Sequence, residues 1–274
     1  MQLIRSRQYT VTVPGLAAGE HLRLAFLSDL HNNISPGLMD LLRKASPDAV
    51  LIGGDMANRP TRFGTPPRFT RGYGCVSRIV KEFPVFYAPG NHEASWKNSE
   101  KYGGSWQAYR RALEKKGVVF LENRSITLQD GRRPICLCGL DMGRPQYSHH
   151  KKTRRPPTQD ELRAWIGEAP AEAFTILLPH HPDYLEAYAA WGADLVLAGH
   201  LHGGQMRLPG IGGVIGPGFQ LFPPYSKGRY EAEGKKSGRL HRTVMIVSPG
   251  LGTHTIPFRV FNPREVLIAD LAGE

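Results

Sequence analysis

His21-Leu22-Arg23-Leu24-Ala25-Phe26-Leu27 is an apolar, strand-like run, and it leads at once to Asp29 and His31. The same event recurs four times. Ala49-Val50-Leu51-Ile52 leads through Gly53-Gly54 to Asp55, and Val85-Phe86-Tyr87-Ala88 leads to Gly90-Asn91-His92-Glu93. Phe174 to Leu178 leads to His180, and Leu195 to Ala198 leads to Gly199-His200-Leu201-His202. Ligands of an open α/β sheet gather beyond the carboxyl ends of its strands. Five polar tips at five strand ends therefore predict one shared site, rich in His, Asp and Asn.

Helical patterns lie between these runs. Ser35-Pro36 reads as N-cap and first helical residue before Leu38, Leu41 and Leu42. Similar patterns cover Cys75–Glu82, Ser105–Lys116 and Pro182–Trp191, and Thr158-Gln159-Asp160-Glu161 is a capping box ahead of Leu162, Trp165 and Ile166. Alternating strands and helices predict βαβ units and a largely parallel sheet. Val118–Leu121, Ile126–Leu128 and Ile135–Leu137, separated by Glu122-Asn123 and Asp130-Gly131, have meander spacing instead. They predict a second sheet or an antiparallel flank. With Thr243–Val247 and Val266–Leu271 as further strands, the expected fold class is α/β, a two-sheet core with helices outside.

Three stretches have no periodicity: Arg59–Gly74, Gly143–Pro157 and Leu208–Gly238. The second holds the charge run from His149-His150 to Arg155, read as a solvated face. The third carries Phe219, Leu221, Phe222 and Tyr225, and exposed aromatics on a loop need a partner.

A length of 274 residues suits one large α/β domain, taken here as residues 1–274. The formal charge of +11 fits a basic surface or attraction to phosphate-bearing substrates, nucleic acid or an anionic membrane face. Cys75, Cys136 and Cys138 cannot all pair, and Cys136 and Cys138 share one face of a strand as small core residues. Met1 to Arg7 lacks the apolar core of a signal peptide, and no apolar run approaches the roughly 20 residues that span a bilayer. The expected location is cytoplasmic, with peripheral contact at the inner membrane face.

Asp29-Leu30-His31 and His200-Leu201-His202 place ligand types two residues apart, on one side of extended backbone. A carboxylate with several imidazoles suits Zn²⁺, Mn²⁺ or Fe²⁺ better than Mg²⁺ or Ca²⁺. Asp29, His31, Asp55, Asn91, His180, His200 and His202 are too many for one tetrahedral ion. They suit two ions bridged by one carboxylate, the arrangement used for in-line phosphoryl displacement.

Asp29-x-His31, Gly54-Asp55, Gly90-Asn91-His92-Glu93, the isolated His180 and Gly199-His200-x-His202 together resemble the calcineurin-like metallophosphoesterases, in family order across most of the chain. His180-His181-Pro182-Asp183 and His202-Gly203-Gly204-Gln205 are similar to the bacterial membrane- or cell-wall-associated (YkuE-like) phosphodiesterases, relatives of enzymes that cleave UDP-diacylglucosamine. The resemblance implies a four-layer αββα sandwich of two mixed β-sheets flanked by helices. It implies Asp29, His31 and His202 on a first ion, Asn91, His180 and His200 on a second, and Asp55 between them. A metal-bridging hydroxide would be the nucleophile, and His92 would serve the leaving group. Glycines 54, 90 and 199 would let the backbone turn beside the ions.

His181 is expected to be structural, Glu93 to orient a neighbour, and His254 is a weaker candidate for the pocket lining. The expected function is therefore hydrolysis of a phosphodiester or pyrophosphate, with an anionic, lipid-linked or cell-envelope substrate. A nuclease, a cyclic-nucleotide phosphodiesterase and a non-catalytic scaffold are the alternatives.

Overall fold

The computed structural model describes residues 4–17, 19–33, 35–58, 70–129, 133–148, 154–253 and 258–273. His149, His150, His254 and most of the Arg-rich stretch from Arg59 lie outside them.

The first sheet contains β1 (Ile4–Thr12), β2 (His21–Leu27), β3 (Ala49–Ile52), β4 (Val85–Tyr87), β5 (Val119–Phe120) and β14 (Arg264–Ala272), in the order β1-β14-β2-β3-β4-β5. Strands β2 to β5 run parallel, and β14 is antiparallel to β2. The second sheet contains β6 (Arg124–Gln129), β7 (Ile135–Gly139), β8 (Phe174–Leu178), β9 (Leu195–Ala198), β12 (Gly228–Lys236) and β13 (Arg239–Val247), in the order β12-β13-β9-β8-β7-β6. Here β7, β8, β9 and β13 are parallel, and the two edge strands are antiparallel to their neighbours. A short hairpin of β10 (Arg207–Leu208) and β11 (Gly212–Gly213) stands apart.

β3 and β9 are apolar along their whole length, and β2 from Leu24 onward, because both faces are covered there. Alternate residues enter different cores. Phe26, Leu51, Leu137, Ile176 and Leu197 pack between the sheets. Ala25, Val50 and Ile52 face the opposite way, under α1 (Leu38–Ala45), α2 (Arg71–Ile79) and α4 (Gly103–Glu114). Leu177, Val196 and Met245 pack under α5 (Gln159–Ile166) and α6 (Leu185–Trp191). The result is a four-layer αββα sandwich of two mixed sheets, as expected. Short α3 (Asn91–Lys97) leaves β4 directly into the site.

Several boundaries differ from the sequence reading. α1 begins at Leu38 with Gly37 at its N-cap (φ +79°), so Ser35-Pro36 forms the preceding turn instead. β5 stays in the first sheet, parallel to β4, and the chain changes sheets before Arg124; of the three strands expected as a meander, β6 and β7 alone pair antiparallel. The stretch 208–238 is not all loop. It contains β12, paired along its length with β13 through a two-residue turn at Ser237 and Gly238, both with positive φ. The capping box at Thr158 is present, with Glu161 N–H donating to Thr158 Oγ1 at 3.2 Å.

Candidate metal centre

The carboxyl ends of β2, β3 and β4 from one sheet meet those of β8 and β9 from the other. At six of these positions the chain turns through a left-handed residue: Asp29 (φ +54°), His31 (+48°), Asp55 (+56°), His180 (+46°), His200 (+69°) and His202 (+49°). An L-residue there gives up about 1–2 kcal/mol. Six in one site mark strain held by the surroundings rather than casual turns. Asn91 is the first residue of α3.

Glycines permit the close approach. A Cβ on Gly54 (φ +89°) would strike the backbone of Gly90, and one on Gly90 would strike the Asp55 carboxylate. A Cβ on Gly199 would meet the Asp29 carboxylate and lie 2.8 Å from Ser28 Cβ.

All seven residues singled out from the sequence come together. Asp29, His31 and His202 form one group of donor atoms, and Asp55, His180 and His200 another, each within 4.8 Å. In the first, His31 Nε2 lies 3.2 Å from His202 Nε2 and 3.9 Å from Asp29 Oδ1. In the second, Asn91 Oδ1 lies 2.8 Å from His200 Nδ1 and 3.1 Å from His180 Nε2. Asp55 Oδ2 reaches both, at 3.7 Å from His31 Nε2 and 3.3 Å from His180 Nε2. His92 Nε2 stands 4.0 Å from the same oxygen, and His92 N–H donates to Asp55 Oδ1 at 2.9 Å.

The outer nitrogens show which way the rings serve. His31 Nδ1 donates to Asn58 Oδ1 at 2.7 Å and His180 Nδ1 to the Gly53 carbonyl, so each ring turns its Nε2 inward, where a cation displacing the proton would find a ligand. Imidazole nitrogens, carboxylates and an amide oxygen thus converge on one buried space, a donor set that fits divalent cations. The carboxylates favour positive charge in the same space. Burial alone would lower the His180 pKa, but Asp55 and then Asp29 raise it to about 9. Burial would raise Asp55, yet His180, His92 and His31 hold it well below the usual carboxylate range. Asp29 is pushed up by burial, against the pull of His180. Burial and the adjacent His181 and His180 keep His200 neutral, well below its ordinary value.

Glu93 binds the frame. Completely buried, it accepts from the backbone N–H groups of Asp55 (2.8 Å), Met56 (3.0 Å), Ala57 (3.3 Å) and Gly90 (3.0 Å), and from Tyr87 Oη (2.8 Å). One carboxylate therefore ties the loop after β3 to the start of α3. Glu93→Gln replaces an acceptor of five donors by an amide with one acceptor oxygen. The expected result is a loss of about 3 kcal/mol in urea unfolding and a metal affinity weakened about 10–100-fold. An unchanged unfolding midpoint would remove Glu93 from this role.

His181 stacks on the His200 ring, centroids 4.3 Å apart, and forms a wall of the site. Sequence reading missed Asn58, which orients His31. It also missed the loop after β13, where Leu251 N–H and Gly252 N–H brace the carbonyls of Ser28 and Asp29 at 3.0 and 2.7 Å. Gly250-Leu251-Gly252 after an apolar strand was the available signal.

Fold and site together define a metal-dependent phosphoesterase. The family model described as calcineurin-like phosphoesterase matches residues 22–204, and the chain belongs to that family. It is 27% identical to the Bacillus subtilis protein YpbG, over 92% of this chain and 82% of that protein. It is 23% identical to the B. subtilis metallophosphoesterase YkuE, over 98% and 86%. The Escherichia coli phosphodiesterase YaeI is 25% identical over 80% of this chain and 72% of its own length.

Proposed function

We propose that this phosphoesterase cleaves a phosphodiester or pyrophosphate bond with two divalent ions. Asp29, His31 and His202 would hold one, Asn91, His180 and His200 the other, and Asp55 would bridge. The observation that carries the reading is Asp55 Oδ2, placed within 3.7 Å of a ring nitrogen from each donor group. Bound there, the ions would supply hydroxide at neutral pH and offset charge on the phosphoryl oxygens; Mn²⁺, Zn²⁺ and Fe²⁺ all suit the donors. The chain's own part is to fix the donors by strained turns, to exclude water by burial, and to place His92 beside the bridging carboxylate. There His92 would give a proton, or its charge, to the leaving oxygen. The three apolar layers sharing one pair of sheets support reading residues 1–274 as a single domain.

A lipid-linked or envelope substrate is supported by the surface beside His202. Phe219, Leu221, Phe222, Phe258 and Phe261 are 55–76% exposed. Their two segments are joined by the Met206–Val260 bridge, and Asn262 Nδ2 donates to the His202 carbonyl at 2.7 Å. Residues 205–230 and 250–264 contain no carboxylate. An apolar, acid-free face of this kind suits peripheral contact with an anionic bilayer, from the cytoplasmic side. No helix among the described residues is long and apolar enough to cross a membrane.

Chelator-treated protein should be inactive on bis(p-nitrophenyl) phosphate, and added Mn²⁺ should restore turnover. The same assay, extended to nucleotide-sugar lipids, phospholipids, cyclic nucleotides and nucleic acids, ranks the substrate classes. Activity on p-nitrophenyl phosphate alone would overturn the diester reading.

A further inference from the structure

Beyond the end of β7 the chain builds a wall beside the metal centre. Asn123 brackets Asp141, with Asn123 Nδ2 donating to the Asp141 carbonyl at 3.1 Å and Asp141 N–H donating to Asn123 Oδ1 at 2.7 Å. Tyr188 Oη contacts Met142 Sδ at 3.7 Å, and Tyr184 Oη donates to the Gln146 carbonyl at 2.6 Å. Met142 and Tyr147 are thereby fixed. Across from them, Asn91, Ala94, Ser95 and Asn98 recur at helical spacing on one face of α3 and its C-cap. These six residues line a cavity of about 240 Å³ that is open to the surface.

Three properties of this cavity bear on substrate. It starts at the metal centre, because Asn91 lines it and also contacts His180 and His200. Its lining is polar but uncharged: two amides, two hydroxyls, a thioether and a methyl group. Lys97, on the same helix, is engaged by Asp141 and Glu122. Finally, the ring of Tyr147, which lines it, packs against His180, His181 and His200.

We propose that this cavity is the subsite for the alcohol retained on the phosphate after cleavage, a small, uncharged, hydroxyl-bearing group of about glycerol size. The inference rests on the hydrolase reading above. At roughly 30 Å³ per water, the volume holds about eight water-sized units. A cationic or anionic head would find no counter-charge there. The side of the site also fits. His92 lies against His31 (ring centroids 4.7 Å) and Asp55, whereas the cavity opens from Asn91 on the His180 and His200 side. The two organic groups of a diester would therefore part in different directions. Ser95 and Asn98, both exposed, would hydrogen-bond the retained one.

The test uses two diesters with one leaving group and one chain length: 2,3-dihydroxypropyl p-nitrophenyl phosphate and propyl p-nitrophenyl phosphate. The metal-loaded wild type should favour the dihydroxypropyl ester about tenfold in kcat/KM. Ser95→Ala and Asn98→Ala should each bring that ratio several-fold toward one. Equal use of both esters by the wild type, or an unchanged ratio in both variants, would overturn the subsite. If the wild type cleaves neither ester, the hydrolase reading fails and the subsite falls with it.

Discussion

Asp55→Asn is expected to lower the rate on bis(p-nitrophenyl) phosphate by at least about 10³-fold while the protein stays folded. The two oxygens of Asp55 have different duties. Oδ1 accepts from His92 N–H at 2.9 Å, a bond that an asparagine oxygen can keep, so the start of α3 need not move. Oδ2 faces His31 Nε2 and His180 Nε2 at 3.7 and 3.3 Å. In the variant an NH₂ group takes that place, where it can only donate. It would pair with the inward imidazole nitrogens and so occupy the donors that a cation needs. The negative charge that draws positive charge into the site also disappears. Metal analysis of the purified variant should show less than the full complement, with a thermal unfolding profile close to wild type. Wild-type metal content and turnover together would sink the bridging role.

How much of this site was visible in the sequence depended on burial. β3 and β9, and the ends of β2 and β8 that reach the site, are covered on both faces, so each closes on an apolar run and the polar residue that follows stands out. β1 and β12 left no such trace, because both are edge strands. Ile4–Thr12 is mostly exposed, and Gly228–Lys236 alternates exposed and partly covered residues around Glu231 and Glu233. Such strands are defined by their pairing with β14 and β13, a long-range property that local composition does not carry. α3 was hidden for another reason. It is only seven residues long, and its first residue, Asn91, belongs to the site.

The ligand-type residues themselves were legible as a set, since Asp, Asn and His have few reasons to recur at five strand ends. Of the residues that hold them, Glu93 was expected to orient a neighbour, but others were not visible. Asn58 sits beyond the loop from Asp55, and nothing in its surroundings marks it as the partner of His31. Tyr147 lies in Arg144-Pro145-Gln146-Tyr147, a single 3₁₀ turn with no periodicity. Both depend on what the fold brings near them.

His92→Ala separates chemistry from metal binding. The side chain is one-fifth exposed at the mouth of the site, and its Nε2 is 4.0 Å from Asp55 Oδ2, close enough to join His31 and Asp55 in a third group of donor atoms. If the imidazole were a ligand, alanine would cost an ion. If it serves the leaving group, alanine costs only turnover. The backbone bond from residue 92 to Asp55 Oδ1 survives the substitution, so the carboxylate stays oriented in either case. The expected outcome is full metal content with kcat lowered about 10²–10⁴-fold on an alkyl phosphodiester. A leaving group that departs without a proton needs less help, so the loss on a p-nitrophenyl ester should be markedly smaller. That difference between the two esters is the signature of a proton donor; an equal loss on both would assign His92 to charge stabilisation. Loss of metal with loss of activity would instead make His92 a ligand.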